Sequence, residues 1–301
     1  MWYAIIISFV ILIFLFACLQ IAFSIVTPKT RTLEATKRLE IEKDKTLFEF
    51  YHSTLTKEDY LKSRYGYSLK LYYFLNAEYK KYIVIAHGHT YTHHGCIKYA
   101  RMMYKYGYNV ITYDQRYHGD SGGKNTSLGY YEKNDLYDII SKITQEFGED
   151  IFIGTYGESM GAATILLEQE LDRRVKFCIS DCAFSDLKLL IQEQIKSYHL
   201  PKFIYVFVDL FVKVITGINL KEVSPISSIK NSTIPILFIH GEQDKFIKYH
   251  HTVDMYESYG GKKALFIAKN QATHAYSYFS DTLEYENIVQ KFIEENIDDK
   301  I

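Results

Sequence analysis

The sequence predicts an α/β protein: a mostly parallel, twisted sheet with helices on both faces, a small helical cap and an N-terminal transmembrane helix. Three observations predict it. Apolar runs of strand length alternate with helix-length stretches, the signature of a parallel sheet covered on both sides. One long gap in that alternation holds an apolar segment bounded by Pro201 and Gly217. Residues Trp2 to Val26 carry no charge.

At about 1.5 Å per residue the uncharged run spans roughly 37 Å as a helix, enough to cross a hydrocarbon core of about 30 Å. A cleaved signal peptide would carry a basic region before the run, a shorter apolar core and a small-residue cleavage site. Nothing basic precedes the run, and Phe16 makes Leu15-Phe16-Ala17-Cys18 a poor lipoprotein box. Residues 1–27 are therefore read as an uncleaved, single-pass anchor. Lys29, Arg31, Lys37 and Arg38 follow closely, which by the positive-inside rule places the rest of the chain in the cytoplasm. Residues 28–60 read as a stalk or linker, with a solvated helix over Thr30–Glu42.

Composition narrows the remainder. Lys+Arg number 35 and Asp+Glu 36 in 301 residues, so no basic footprint for nucleic acid exists. Four cysteines (Cys18, Cys96, Cys178, Cys182) do not make a disulfide scaffold. Strands are expected at Ser68–Leu75, Tyr82–Ala86, Asn109–Tyr113, Ile151–Thr155, Val175–Ser180, Ile236–Ile239 and Ala264–Ala268, several of them continuous apolar runs suited to burial on both faces. Helices are expected at Gly95–Tyr106, Asn134–Phe147, Gly161–Leu171 and His250–Tyr259. The core domain would comprise 61–184 and 226–301. The insertion 185–225, with apolar Phe203–Val208 and Leu210–Val214, reads as a cap whose residues mostly pack down as core.

The chemistry is expected at strand ends. Gly157-Glu158-Ser159-Met160-Gly161 follows one strand and opens a helix. In that context the pattern describes a sharp turn that exposes a nucleophilic Ser, with Gly157 and Gly161 letting neighbouring backbones approach. A Ser hydroxyl needs a base, and the base needs an orienting acid. Asp244 and His274 follow two later strands, in the order Ser, acid, His. Asp181, at the end of an earlier strand, is the alternative acid. An oxyanion would be held by the backbone N–H of Met160 and by one from the loop His87-Gly88-His89-Thr90, with His89 preferred and Thr90 the alternative. His87, His89, His93 and His94 crowd together, and Cys178 and Cys182 form a lone C-x3-C. Neither has a metal-site pattern, so no metal is assigned.

Taken together these motifs resemble the α/β-hydrolase superfamily, and more narrowly membrane-anchored bacterial serine hydrolases grouped with serine aminopeptidase-like and prolyl-oligopeptidase-like members. The residues that carry the resemblance are His87-Gly88, Tyr113 to Gly123, Gly129-Tyr130-Tyr131-Glu132, Gly157–Gly161, Pro235 to Asp244, and His274. The resemblance implies the α/β-hydrolase fold from about residue 60 onward. It implies acyl hydrolysis through an acyl-enzyme without metal or organic cofactor, with Ser159, Asp244 and His274 as triad. An ester or thioester with a hydrophobic acyl group is the favoured substrate, an amide or short peptide the alternative. A non-catalytic binding module is the rival class. Asp114, Arg116 and His118 are expected as structural hydrogen bonders near the site. Phe246-Ile247, where members often carry Val, is expected to alter packing only.

Overall fold

The computed structural model describes residues 2–297. Eight strands form one sheet: β1 (Lys57–Lys62), β2 (Ser68–Phe74), β3 (Lys81–Ala86), β4 (Tyr108–Tyr113), β5 (Phe152–Glu158), β6 (Val175–Asp181), β7 (Ile236–Gly241) and β8 (Lys263–Ala268). Their spatial order is β1-β2-β4-β3-β5-β6-β7-β8. β1 and β2 pair antiparallel with each other and β2 pairs antiparallel with β4; all other neighbours are parallel. The parallel strands β3 to β7 are almost wholly buried, as their continuous apolar sequences require, while β8, at the sheet edge, is mostly half-buried.

The helices are α1 (Trp2–Val26), α2 (Leu33–Lys43), α3 (Thr46–Thr54), α4 (Ile97–Lys105), α5 (Glu132–Phe147), α6 (Met160–Glu168), α7 (Leu187–Ser197), α8 (Ile204–Thr216), α9 (Pro225–Ser228), α10 (His250–Ser258), α11 (Ser277–Ser280) and α12 (Thr282–Asn296). One apolar core joins one face of the sheet to α3, α4 and α12. A second joins the other face to α5, α6 and α10. A third gathers α1, α6, α7 and α8 near one end of the sheet.

Two expectations are corrected here. Residues 28–60 are not a solvated stalk. Thr36 and Glu40 of α2 and Leu47, Phe48 and Tyr51 of α3 are buried, and α3 belongs to the first core. One Glu40 oxygen accepts from Lys43 at 2.6 Å and from Tyr91 at 2.7 Å, so α2 turns a polar face inward onto hydrogen-bonding partners. The sheet also begins earlier than residue 61. β1 reads Lys-Glu-Asp-Tyr-Leu-Lys, an edge strand whose alternating half-buried and exposed positions leave no apolar run to find.

The cap differs in a telling way. Ile204, Tyr205, Val208 and Val212 of α8 pack inward, but Phe203, Val206, Leu210 and Val214 are exposed. Spaced three and four apart, these four form one apolar stripe along the helix. The first half of α1 is likewise exposed from Trp2 to Ile13, while Cys18, Ala22 and Val26 are buried against the cap.

Candidate active site

The parallel strands bring their C-terminal ends to one edge, where open α/β sheets bind ligands. Ser159 sits between β5 and α6 with φ 55° and ψ −116°. A non-glycine residue holds that left-handed φ only where its surroundings enforce it. A side chain at position 157 would overlap the backbone of Gly161 and Ala162, and one at 161 would overlap the backbone oxygens of Ala86 and His87. Glycine at both positions lets α6 and β3 crowd the turn. The Ser159 N–H donates to the Asp181 carbonyl at 2.8 Å, which ties the turn to β6.

Ser159 Oγ lies 2.9 Å from His274 Nε2, and His274 Nδ1 lies 2.6 Å from Asp244 Oδ2. The three residues, distant in sequence, thus form one hydrogen-bonded chain. With Asp244 accepting from Nδ1–H, Nε2 is left to accept the Ser159 hydroxyl proton. The second Asp244 oxygen accepts the N–H groups of Phe246 and Ile247, each at 2.9 Å. His240 Nε2 stands 3.2 Å from Asp244 Oδ2 and 2.7 Å from the Ile247 carbonyl. Burial works against a charge on Asp244, but the hydrogen bonds from His240 and His274 outweigh it and hold its carboxyl well below the usual carboxylate range.

Asp181 is elsewhere. Its carboxylate accepts from Tyr285 at 2.8 Å, from Tyr99 at 3.1 Å and from Ser277 at 3.1 Å. Beside it, Glu158 accepts from Lys98 at 2.6 Å and Tyr99 at 2.7 Å. This buried network lies directly beneath the serine turn. Sequence reasoning missed it, because Lys98, Tyr99 and Tyr285 carry no motif and only the fold makes them neighbours. His240 was legible only as part of a strand end.

Each remaining predicted residue has a defined place. His87 Nδ1–H donates to the Gly88 carbonyl at 2.7 Å, while Nε2 accepts the Gln115 N–H at 2.9 Å. Burial pushes His87 down to about 3, so it stays a neutral hydrogen bonder. Asp114 is fully buried and accepts from the His93 N–H at 2.8 Å, the Asp120 N–H at 3.0 Å and Tyr72 at 3.2 Å. His118 donates from Nδ1 to the Arg116 carbonyl at 2.8 Å and accepts the Thr90 N–H at Nε2, 3.0 Å away. The Arg116 guanidinium lies between two rings, 4.7 Å from the centre of Tyr131 and 5.0 Å from that of Tyr67. His89 lies beside Ser159 in the cavity wall, and its Nε2 reaches the Ile25 carbonyl at 3.2 Å. His94 Nδ1 turns to the Leu33 carbonyl at 3.0 Å. The crowded histidines therefore serve separate partners.

Ser159 opens onto a cavity of about 810 Å³. Its floor and walls include Met160, Leu187, Ile191 and Ile195, and Phe246 and Ile247 close one side. The Phe246 ring also packs edge-on to His274, with ring centres 5.1 Å apart. The Phe246-Ile247 departure thus shapes the site itself, contrary to the expectation that it alters packing only.

The fold and this constellation define an α/β hydrolase. The family description "Serine aminopeptidase, S33" matches residues 77–220. An uncharacterised protein of Bacillus subtilis, YqkD, is 34% identical over 270 residues, covering 88% of each chain. A lysophosphatidylserine lipase of Danio rerio, ABHD12, is 25% identical over 232 residues, covering 70% of this chain and 57% of its own length. Among solved structures, the Pyrococcus furiosus esterase Pf2001 aligns with TM-score 0.66 at 22% identity over 82% of this chain and 94% of its own. Est1E of Butyrivibrio proteoclasticus, solved with ferulic acid, aligns with TM-score 0.62 at 19% identity over 79% of this chain and 99% of its own. The chain belongs to the α/β-hydrolase superfamily.

Proposed function

We propose that this protein is a membrane-tethered serine hydrolase that cleaves acyl esters or thioesters through an acyl-enzyme. The observation that carries the reading is the hydrogen-bonded chain Ser159–His274–Asp244 at the mouth of an apolar cavity. Ser159 Oγ attacks the acyl carbonyl while His274 Nε2 takes its proton. Asp244 holds the imidazole tautomer and stabilises the imidazolium. The tetrahedral oxyanion is held by the N–H of Met160, the first residue of α6 and so without an intrahelical acceptor, and by the N–H of His89. The C–O or C–S bond then breaks, and the leaving alcohol or thiol carries away the proton from His274. Water, deprotonated by His274, attacks the acyl-serine, releasing the acid and restoring Ser159. The residues assigned to these steps require no metal or organic cofactor.

Ester or thioester cleavage is favoured over removal of an N-terminal amino acid by the cavity lining. An aminopeptidase must recognise a free α-ammonium group, and no Asp or Glu is among the residues lining this cavity. The relative whose name specifies a lysophospholipid substrate points the same way.

The anchor reading of α1 is supported by its exposed apolar first half and its docked second half. A buried core helix would not leave Ile5 to Ile13 in water. A cleaved leader would remove residues that complete the third core.

A fluorophosphonate probe tests the nucleophile. The full chain in detergent micelles should label, and Ser159→Ala should not. Failure of the folded wild type to label would overturn the reading in favour of a binding module.

A further inference from the structure

Resting on that hydrolase reading, we propose that α1 is a working wall of the substrate site. Through it, the acyl chain of a single-chain, bilayer-resident ester enters sideways, between α1 and the α7–α8 corner, without crossing water.

One wall of the cavity that opens at Ser159 is built by the anchor and the residues just after it. Ile21, Ser24, Ile25 and Pro28 line it opposite Leu187, Ile191 and Ile195 of α7. A helix whose only task was tethering would hang from a flexible linker. This one is locked. Cys18, Ala22 and Val26 recur every four residues on its inner face and are buried against the cap, small side chains at the first two positions allowing close approach. Phe14 meets Phe207 edge-on with ring centres 5.1 Å apart. The last helix carbonyls, which lack intrahelical donors, are satisfied by the domain. His89 Nε2 reaches the Ile25 oxygen at 3.2 Å and the Thr126 N–H reaches the Val26 oxygen at 2.9 Å. Arg31 then donates its N–H to the Thr90 carbonyl at 2.9 Å. The chain leaving the membrane is thus bonded on both sides of its path to the loop that carries the proposed oxyanion donor.

The depth of the site follows from helix length. If Trp2 to about Gln20 fill the hydrocarbon core at about 1.5 Å per residue, the next turn, Ile21 to Ile25, stands at the level of lipid ester groups. The cap adds a second lipid-facing surface. The exposed stripe Phe203, Val206, Leu210 and Val214 on α8 continues the exposed apolar face of α1 through the Phe14–Phe203 contact, 5.7 Å between ring centres. Such a stripe is costly in water and at home in lipid. At its end lie Tyr198, 74% exposed, and Leu200, both of which also line the cavity. Tyr is the residue of membrane interfaces. In this proposal the cavity mouth opens beside lipid-facing surface on both α1 and α8. One apolar cavity receives one chain, which is why a single-chain amphiphile is the substrate class.

The test uses the full chain in phosphatidylcholine vesicles carrying either palmitoyl or octanoyl lysophosphatidylcholine. Ile21→Trp and Ile25→Trp narrow the cavity from the anchor side and should lower the palmitoyl-to-octanoyl turnover ratio about tenfold, the loss of roughly two buried methylenes. Ile25→Ala widens it and should raise that ratio. Fluorophosphonate labelling of each variant reports that it is folded with Ser159 reactive. Labelled variants whose chain-length ratios all match wild type would overturn the proposal while leaving the hydrolase reading intact. A wild type that neither labels nor hydrolyses any ester would overturn the hydrolase reading and this one with it.

Discussion

The Thr90 N–H donates to His118 Nε2 at 3.0 Å, and this bond takes Thr90 out of the two candidates proposed for an oxyanion donor. His118 is held in the accepting tautomer by its Nδ1–H bond to the Arg116 carbonyl, and burial lowers its proton affinity so that it stays neutral. Thr90 is therefore committed to the scaffold, which supports the His89 N–H as the proposed oxyanion donor. His118→Phe removes the acceptor and loosens the loop. Its kcat on a short ester should fall about 10- to 100-fold with KM changed only about twofold, since the bond lost supports the transition state rather than ground-state binding. A KM effect larger than the kcat effect would reassign His118 to substrate binding.

Asp244, not Asp181, meets His274, and the two acids should fail differently. Asp244→Asn leaves the geometry but presents the wrong tautomer, so kcat should fall about 10⁴-fold with little change in thermal stability. Asp181→Asn should instead lower the unfolding temperature, because an NH2 donor replaces one of the two oxygens that accept from Tyr99 and Tyr285 or from Ser277. Its kcat should fall far less. Steady-state kinetics and thermal scans of the two variants separate the roles, and equal kinetic losses would sink the assignment.

How much of this was legible before the fold was known depends on locality. Ser159 announces itself because the serine turn is a five-residue motif, and Asp244 and His274 follow because each lies just after an apolar strand. The parallel strands were legible because burial on both faces demands continuous apolar runs. What escaped is what depends on tertiary partners. β1 is a charged edge strand. Glu158, Lys98 and Asp181 form a network from three separate elements. α2 buries Thr36 and Glu40, residue types that read as solvated. α12 was different: Tyr285, Val289, Phe292 and Ile293 follow helical spacing and were legible but unread. The docking of α1 onto the cap could not be read at all, because an anchor and a pocket wall have the same apolar composition.

The contribution of Asp135 to stability should fall as pH rises from about 4 to 7, against buried neutral histidines such as His87, whose contribution rises over much of the same window. The Asp135 carboxyl is buried beneath Ser63 and Tyr67, with Glu132 nearby, and burial pushes it up to about 7 despite hydrogen bonds from both hydroxyls. A carboxyl ordinarily near 3.9 in the unfolded chain then binds one more proton in the folded state between those two values, so its contribution declines with pH across that window and levels above it. In thermal scans at pH 5, 6, 7 and 8, Asp135→Asn should therefore gain stability relative to wild type as pH rises to about 7, with the difference level above it. Asp114 and Asp244, held below the usual range, act in the opposite sense and only at acid pH, losing their contribution as pH falls below about 4. A slope unchanged in Asp135→Asn would show that Asp135 does not titrate in this window.

The pair beside Ser159 should show the asymmetry of buried charges. Lys98 and Glu158 are both buried and 2.6 Å apart, and Tyr99 supplies Glu158 with a second donor. Burial opposes the charge on each, and each partner restores it in the other. Removing the cation alone strands a carboxylate in a dry site, so Lys98→Met should destabilise by about 3–5 kcal/mol. Removing both charges, Lys98→Met with Glu158→Gln, should recover much of that loss because no unpaired charge remains. Since Glu158 immediately precedes Ser159, the single variant should also lower kcat by disturbing the turn, and the double variant should regain activity along with stability. Denaturant midpoints of the two variants in detergent micelles, read beside fluorophosphonate labelling rates, test this directly. A double variant less stable than the single one would mean that the pair is held for its own favourable coupling rather than to avoid a stranded charge.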